Sequence, residues 1–188
     1  MIFEHFLLDV NEANAFLVGC EETREALLVD AGDWDARIEE CLCDHALRMT
    51  KIFITHDHYD HTAGLRPAIA ATGATAYSGS GRADGQRIQR LAHGDAFAIG
   101  NIAGRVVATP GHTPEGICLI IPGMAFTGDA LFAGSVGGTS SRANAEQQIA
   151  AIRAHLFALP GHYEVHPGHG PSSTIGIERR HNPFFNNP

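Results

Sequence analysis

The chain has 188 residues, of which 44% are hydrophobic and 18% charged, a composition typical of one globular domain with its own core. Thirteen Lys and Arg against 21 Asp and Glu give a net charge of −8, which argues against nucleic acid as a partner because an acidic chain repels phosphate. No apolar stretch approaches the ~18 residues of a membrane span, and residues 1–10 lack the basic start of a signal peptide, so we expect a soluble, cytoplasmic protein.

Hydrophobic patterns and turn-forming clusters predict the elements of the first half of the chain. Asp33 is expected to cap the first helix, which runs to about His45 and carries Ile38 and Leu42 at a spacing of four. Gly73 is expected to end the second helix. In chain order, the predicted elements are strands at 2–8, 14–19 and 25–30, a helix at 33–45, a strand at 51–54, a helix at 62–71 and a strand at 75–78.

The second half is predicted to open with a loop and a helix, followed by a second group of strands. Its long helix carries one apolar stripe, formed by Ile149, Ile152, Leu156 and Leu159. Because each group of strands is followed by helices, the order favours a layered sandwich over an alternating barrel. The predicted elements are strands at 96–99, 102–108, 117–121 and 124–127, a helix at 144–159, a strand near 163–166 and a small helix near 174–180, before the tail NPFFNNP.

The stretch THDHYDH, residues 55–61, concentrates ligand side chains directly after the apolar run KIFI. Side chains alternate along an extended segment, so His56 and His58 can face one cation together. Asp60 and His61 follow where the chain turns into a helix, and can therefore face a second cation. Imidazole combined with carboxylate suits zinc, and also iron or manganese.

Three further ligand candidates follow predicted strands and lie beside glycine, which lets the backbone approach a site closely. They are His112 in TPGHTP, Asp129 in FTGDAL and His169 in HPGHGP. The seven remaining histidines are expected to be surface residues or hydrogen-bonded core residues: His5, His45, His93, His155, His162, His166 and His181.

The THxHxDH loop, TPGHT, TGDALF and PGHG together resemble the motifs of the metallo-β-lactamase superfamily. Their spacing is similar to that of its glyoxalase II branch, whose members hydrolyse S-acylglutathione thioesters. The resemblance runs from about Phe16 to Phe185, and the ending TIGIERRHNPFF is shared with small glyoxalase II-like hydrolases. It implies a mixed α/β fold, a four-layer αββα sandwich formed as a single domain over residues 1–188, with the site at one edge between the two sheets.

The same resemblance implies two divalent cations, with zinc favoured and iron or manganese as alternatives. Asp30, in LLVDAG, is expected to orient one of the ligand histidines. The implied ligands form a first site, a second site and a bridge between them: His56, His58 and His112; Asp60, His61 and His169; and Asp129.

The chemistry that such a centre implies is hydrolysis of an S-acylglutathione thioester, such as S-lactoylglutathione, or of a related thioester or ester. A hydroxide held between two cations is available at neutral pH, because metal-bound water has its pKa lowered toward ~7. This hydroxide would attack the carbonyl carbon while one cation stabilises the oxyanion. Asp60 or Asp129 would hold or transfer the proton, and no serine or cysteine nucleophile is needed.

The sequence departs from full-length glyoxalase II at the contacts with glutathione. The C-terminal helical region that holds glutathione is expected to be lacking. Gly138 stands where the family commonly has a basic residue, and Gly170-Pro171 replaces the usual Glu-Tyr. We therefore expect glutathione to be weakly held or replaced by another thiol carrier. Glu115 stands where the family often has glycine, and is expected to be solvated.

Two other functions stay open at this point. Persulfide dioxygenases share the fold but use one iron ion, held by residues like His56, His112 and Asp129, and typically lack a histidine matching His169. The third hypothesis is a non-enzymatic metal-binding domain, although coordination positions left free for other ligands argue against a closed structural site. The predicted partner is a small thioester or ester, with neither nucleic acid nor membrane bound, and the oligomeric state is left open.

Overall fold

The computed structural model describes residues 1–186, and its first half forms a six-stranded sheet. Five strands of this sheet follow one another across it: β1 (Ile2–Leu7), β2 (Asn14–Gly19), β3 (Glu25–Val29), β4 (Arg48–Ile54) and β5 (Thr75–Ser78). A separate hairpin, β6 (Arg82–Ala83) and β7 (Gln86–Arg87), then precedes the edge strand β8 (Gln89–Arg90). β1, β2 and β3 pair antiparallel, whereas β3, β4, β5 and β8 run parallel, so the carboxyl ends of these four strands meet at one edge.

The second half forms a five-stranded sheet that packs against the first. Its strands are β9 (Arg105–Ala108), β10 (Ile117–Ile121), β11 (Met124–Gly128), β14 (Glu164–Pro167) and β15 (Ser173–Thr174), in the spatial order β15–β14–β11–β10–β9, with a small hairpin of β12 (Leu131–Phe132) and β13 (Ser135–Val136) after β11. Leu27 and Phe53 of the first sheet share one buried cluster with Val106, Leu119 and Phe126 of the second. The two sheets therefore face each other across an apolar core.

Helices cover the outer faces of both sheets. They are α1 (Ala36–Asp44), α2 (Tyr59–Thr62), α3 (Leu65–Thr72), α4 (Arg142–Ala151), which continues as a π-helical turn over 152–156, α5 (Ile175–His181) and α6 (Pro183–Asn186). Ile38 of α1 and Leu65 of α3 pack on the first sheet, and Leu156 and Ile175 pack on the second. The predicted four-layer mixed α/β sandwich is confirmed. No helix within residues 1–186 is both long and apolar enough to cross a lipid bilayer.

The predicted helix after residue 78 is wrong. Residues 79–90 instead form the β6–β7 hairpin and the edge strand β8. Asp84 and Gly85, at the hairpin turn, adopt left-handed backbone with φ of 47° and 68°, which is the requirement of a tight hairpin and incompatible with a right-handed helix. The predicted strand at 96–99 is reduced to two isolated bridges, and the strand predicted at 102–108 begins only at Arg105.

Two helix starts also differ from expectation. The N-cap of α1 is Asp35, whose carboxylate accepts from the Arg37 N–H at 2.8 Å, whereas Asp33 accepts from the Trp34 N–H outside the helix. The helix predicted at 62–71 begins earlier, as α2, and is interrupted at Gly64 before α3. Gly64 packs tightly beneath the preceding loop, since a Cβ there would lie 2.1 Å from the carbonyl carbon of Asp33.

Candidate metal centre

The ligand-rich loop 55–61 begins where β4 ends, at the shared edge of the parallel strands. His56 is 5% exposed and His61 fully buried, whereas His58 lies on the surface. The turn α2 starts at Tyr59 and places Asp60 and His61 one residue further along, on a helical path. The change from extended to helical backbone therefore directs the two halves of the loop toward different places, as the sequence predicted.

The first group of side chains comprises His56, His58, His112 and Asp129, with one ligand atom of each within 4.8 Å of the others. His58 Nδ1 lies 2.9 Å from His56 Nε2 and 3.0 Å from His112 Nε2. Asp129 Oδ2 lies 3.4 Å from His112 Nε2 and 3.9 Å from His56 Nε2. Three ring nitrogens and one carboxylate oxygen thus converge on one small region.

The second group comprises Asp60, His61 and His169, again with ligand atoms within 4.8 Å of one another. His169 Nε2 lies 3.3 Å from Asp60 Oδ2. Asp129 also reaches this group, since its Oδ1 is 3.5 Å from His61 Nε2 and its Oδ2 is 3.8 Å from His169 Nε2. All seven side chains predicted from the sequence are therefore brought together, and Asp129 lies between the two groups.

Hydrogen bonds on the far side of two rings fix their orientation. His61 Nδ1 donates to Asp30 Oδ2 at 2.9 Å, and Asp30 in turn accepts from the N–H and hydroxyl of Thr55, both at 2.8 Å. His112 Nδ1 donates to the carbonyl oxygen of Gly138 at 2.7 Å. Since the Nδ1 atoms carry the protons, the Nε2 lone pairs face the two groups, which is the arrangement of a metal-ligating histidine.

The chemistry of these residues fits divalent cations. Within residues 1–186, His61 Nε2 and Asp129 Oδ1 are buried and have no hydrogen-bond partner. A buried polar atom without a partner costs ~1–3 kcal/mol, and a cation bound by both atoms would remove that cost. Imidazole nitrogens mixed with carboxylate oxygens form a donor set that suits zinc, iron or manganese.

Charge and burial shift the pKa values of these groups in opposite directions. Burial, together with the neighbouring imidazoles of His61 and His58, lowers the pKa of His56 far below its ordinary value and keeps the ring neutral. Burial also lowers the pKa of His61, but the Asp30 carboxylate more than offsets it and raises the value to about 9, so a cation that binds Nε2 has to displace its proton. Burial raises the pKa of Asp129, although the surrounding histidines oppose this.

Two glycines permit the close packing around Asp129. A Cβ at Gly168 would lie 2.2 Å from Asp129 Oδ1, and a Cβ at Gly137 would lie 1.9 Å from the Asp129 carbonyl oxygen. A larger residue would displace the Asp129 carboxylate at Gly168 and the Asp129 backbone at Gly137. Gly168, which adjoins His169, is thus required by the close approach of the backbone, in agreement with the sequence argument.

Asn14 holds the His169 turn in place and was not predicted to take part. The Asn14 side chain, 2% exposed, donates to the carbonyl oxygens of Pro167 at 3.0 Å and Gly170 at 2.8 Å. Its backbone N–H donates to the Gly168 carbonyl oxygen at 2.8 Å. The available signal was a polar residue at the start of an otherwise apolar strand, NAFLVG.

The seven other histidines lie outside both groups. His166 is buried against the rings of Phe3, Phe16 and Phe126, and its Nδ1 lies 3.0 Å from the Ser172 hydroxyl. It is therefore a hydrogen-bonded core histidine, as expected.

The comparisons with known proteins agree with this fold. A model described as the metallo-beta-lactamase superfamily matches residues 8–87. A Streptococcus pyogenes protein named as a probable metallo-hydrolase is 33% identical over 186 residues, which cover 85% of this chain and 80% of the relative. The chain belongs to the metallo-β-lactamase superfamily of metal-dependent hydrolases.

Two further proteins show which members of the superfamily this chain is similar to. A hydroxyacylglutathione hydrolase of Nitrosococcus oceani is 34% identical over 163 residues, which cover 82% of this chain but only 60% of that protein. The crystal structure of ETHE1 from Myxococcus xanthus superposes with a TM-score of 0.85 at 32% identity, covering 100% of this chain and 92% of that one. The glyoxalase II-like resemblance is therefore confirmed at the level of homology.

Proposed function

We propose that this protein is a hydrolase that holds two divalent cations, with zinc favoured, and cleaves a thioester or a related ester. The observation that supports it best is the pair of ligand groups with Asp129 between them, within 3.9 Å of a ring nitrogen on each side. In this proposal, the first cation would be held by His56, His58 and His112 and the second by Asp60, His61 and His169, with Asp129 contributing to both.

Divalent cations, when bound there, supply a Lewis acid for the carbonyl oxygen and lower the pKa of water toward ~7. The residues of the chain then position the reactants and move protons. Asp60 Oδ2, close to His169 Nε2 and accepting from the Asn11 side chain at 3.3 Å, is placed to receive the proton of the attacking water. Partial burial raises the pKa of Asp60, but His61 and Asn11 lower it by more, so its pKa lies below the ordinary value. The carboxylate is therefore ionised and can accept a proton.

A covalent mechanism is not supported. Cys118 is fully buried, and burial raises the pKa of its thiol to about 12, so no thiolate forms at neutral pH. Its sulfur lies 3.2 Å from the Thr109 hydroxyl, in the core behind the centre. Hydrolysis by activated water therefore needs no protein nucleophile.

Persulfide dioxygenation with a single iron ion is the second candidate, and the likeness to ETHE1 of Myxococcus xanthus is compatible with it. The convergence of Asp60, His61 and His169 as a second group favours the hydrolase. A dioxygenase would make no use of that group.

Turnover by the purified protein separates the candidates. Zinc-loaded protein is assayed for thiol release from S-lactoylglutathione and from simple acyl thioesters, and iron-loaded protein for oxygen uptake with a persulfide. The proposal expects zinc-dependent thiol release that a chelator abolishes. Oxygen uptake with one iron ion per chain and no thiol release would assign the dioxygenase. Failure of both assays would favour a non-enzymatic metal-binding domain.

A further inference from the structure

A cavity of about 390 Å³ opens directly beside His56. One wall is the start of the β6–β7 hairpin, and the other is the loop 113–115. The two walls are packed closely at their base, because a Cβ at Gly79 would lie 2.2 Å from the Glu115 carbonyl oxygen. Besides His56, the residues that line the cavity and bear on its chemistry are Asp57, Ser78, Ser80, Arg82, Thr113 and Glu115.

Arg82 is presented to this cavity by a fixed backbone. The hydroxyls of Ser78 and Ser80 donate to the Arg82 carbonyl oxygen at 2.9 and 2.7 Å. The same two hydroxyl oxygens accept from the Arg82 N–H at 3.2 and 3.0 Å. Both polar groups of the Arg82 backbone are thus clamped by side chains, so the guanidinium projects from an ordered support.

The hairpin is also tied to the ligand loop. Asp57, which lies between His56 and His58, accepts from the Asp84 N–H at the hairpin turn at 2.8 Å. Arg66 of α3 donates to the Asp84 carbonyl oxygen at 2.8 Å and pairs with its carboxylate. These hydrogen bonds therefore fix the position of the hairpin, and of Arg82, relative to the candidate metal centre.

The hairpin carries two arginines that face each other across its strands. Arg82 is the cross-strand partner of Arg87, and both side chains are exposed on the same face of the hairpin. Like charges directly opposite each other destabilise a strand pair. Neither guanidinium forms an ion pair with any residue in 1–186, although the chain as a whole carries a charge of −8. Two carboxylates also line the cavity: Glu115 on the opposite wall, and Asp57, which accepts the Asp84 N–H.

We propose that this cavity binds a carboxylate of the substrate through Arg82, with Arg87 adding to the positive potential. The inference rests on the proposed function and gives it a substrate class: thioesters that carry a free carboxylate a few bonds from the reacting carbonyl. Arg forms paired, charge-assisted hydrogen bonds with carboxylate, which provides both affinity and orientation. The carboxylate belongs either to the acyl group or to the thiol carrier, and the experiment below separates the two.

The test measures binding of ketone analogues in which a methylene replaces the thioester sulfur, so that no turnover occurs. One analogue carries its carboxylate on the acyl side, and the other carries it on the side of the replaced sulfur. The neutral methyl ester of each serves as its control. Titration calorimetry with zinc-loaded protein is expected to show that one carboxylate analogue binds roughly tenfold more tightly than its ester.

Three variants identify the residue responsible. Arg82→Gln should remove the preference for the carboxylate and leave binding of the ester unchanged, whereas Glu115→Gln should strengthen carboxylate binding. Arg48→Gln is the matched control, because Arg48 is exposed at the opposite end of β4. Equal binding of carboxylate and ester by the unmodified protein would overturn the proposal, and so would a preference that survives in Arg82→Gln.

The outcomes remain distinct from those of the proposed function. Carboxylate binding that depends on Arg82, together with no hydrolysis of any thioester, would contradict the hydrolase and leave the anion site standing. Hydrolysis of neutral and carboxylated thioesters at equal rates, with no effect of Arg82→Gln, would support the hydrolase and overturn the anion site.

Discussion

At the scale of single residues, the centre depends on partners that aim each ring as much as on the rings themselves. Asp30 orients His61, and the carbonyl oxygen of Gly138 orients His112. The role of Asp30 is accessible from sequence because it lies in a motif. The role of Gly138 cannot be predicted from sequence, because every residue has a backbone carbonyl. The role of Asn14 was not predicted, because its hydrogen-bond partners are 153 and 156 residues away in the sequence.

Asp129 provides the most direct mutational test at this scale. Asp129→Ala should lower the bound metal from two equivalents per chain to one or fewer and abolish hydrolysis, because both groups lose a shared carboxylate. Metal content by mass spectrometry and thiol release are the measurements. Glu146→Ala removes an exposed carboxylate on α4 and is the control. Full activity in Asp129→Ala would contradict its place between the two cations.

Asn14→Ala should weaken metal binding at the second site by roughly tenfold or more, because the His169 turn loses two side-chain hydrogen bonds. Binding at the first site should change little. Asn182→Ala is a matched control, since Asn182 is equally buried and donates to Ser135 and Glu178 away from the centre. Stepwise zinc titration with a chromophoric competitor resolves the two sites. Equal losses of second-site affinity in both variants would show a general effect of stability.

At the scale of elements, strands before ligand turns were predictable and the connection after β5 was not. Buried apolar runs identify β4 and β11, and glycines bound β11 at both ends. Residues 79–90 contain Gln, Arg and Ala, which favour helix, yet left-handed backbone at Asp84 and a turn at Gly85 fold them into a hairpin. Tertiary contacts from Asp57 and Arg66 decide this outcome, and local propensity carries no information about them.

The loop after β13 offers a test of the expectation that glutathione is weakly held. A Cβ at Gly138 meets no atom within 4 Å, so an arginine fits without disturbing the carbonyl that holds His112. Gly138→Arg should lower KM for S-lactoylglutathione several-fold at similar kcat, because a new cation faces the carboxylates of glutathione. Gly138→Gln is the neutral control. A KM that is unchanged or higher than that of the unmodified protein would count against the anchor argument.

At the scale of the whole molecule, two sheets bring four separate strand ends to one edge. The layered architecture and the convergence of the ligand motifs could be inferred from the sequence through resemblance and strand order. The exact register could not, because residues such as Phe126 and His166 meet across β11 and β14, which are distant in sequence. The short hairpins and the π-helical turn at 152–156 likewise depend on packing that the local pattern does not encode.

The buried His166 should make the fold sensitive to acid. Burial lowers the pKa of His166 below its ordinary 6.5, although the Glu164 carboxylate 3.3 Å away opposes this. As pH falls below about 6.5, the unfolded chain takes up a proton that the folded chain does not, so stability is lost by at most ~1.4 kcal/mol per pH unit from this group. His166→Gln should show a shallower loss between pH 7.5 and 5.5. Denaturant unfolding in chelator measures it, and parallel curves would contradict the expectation.

We propose above all that two cations bind in this centre with Asp129 between them. Crystals of the purified protein, measured at the zinc and iron absorption edges, test it most directly. We predict two anomalous peaks per chain, one bounded by His56, His58 and His112 and the other by Asp60, His61 and His169. A single peak, confined to the first group, would contradict it.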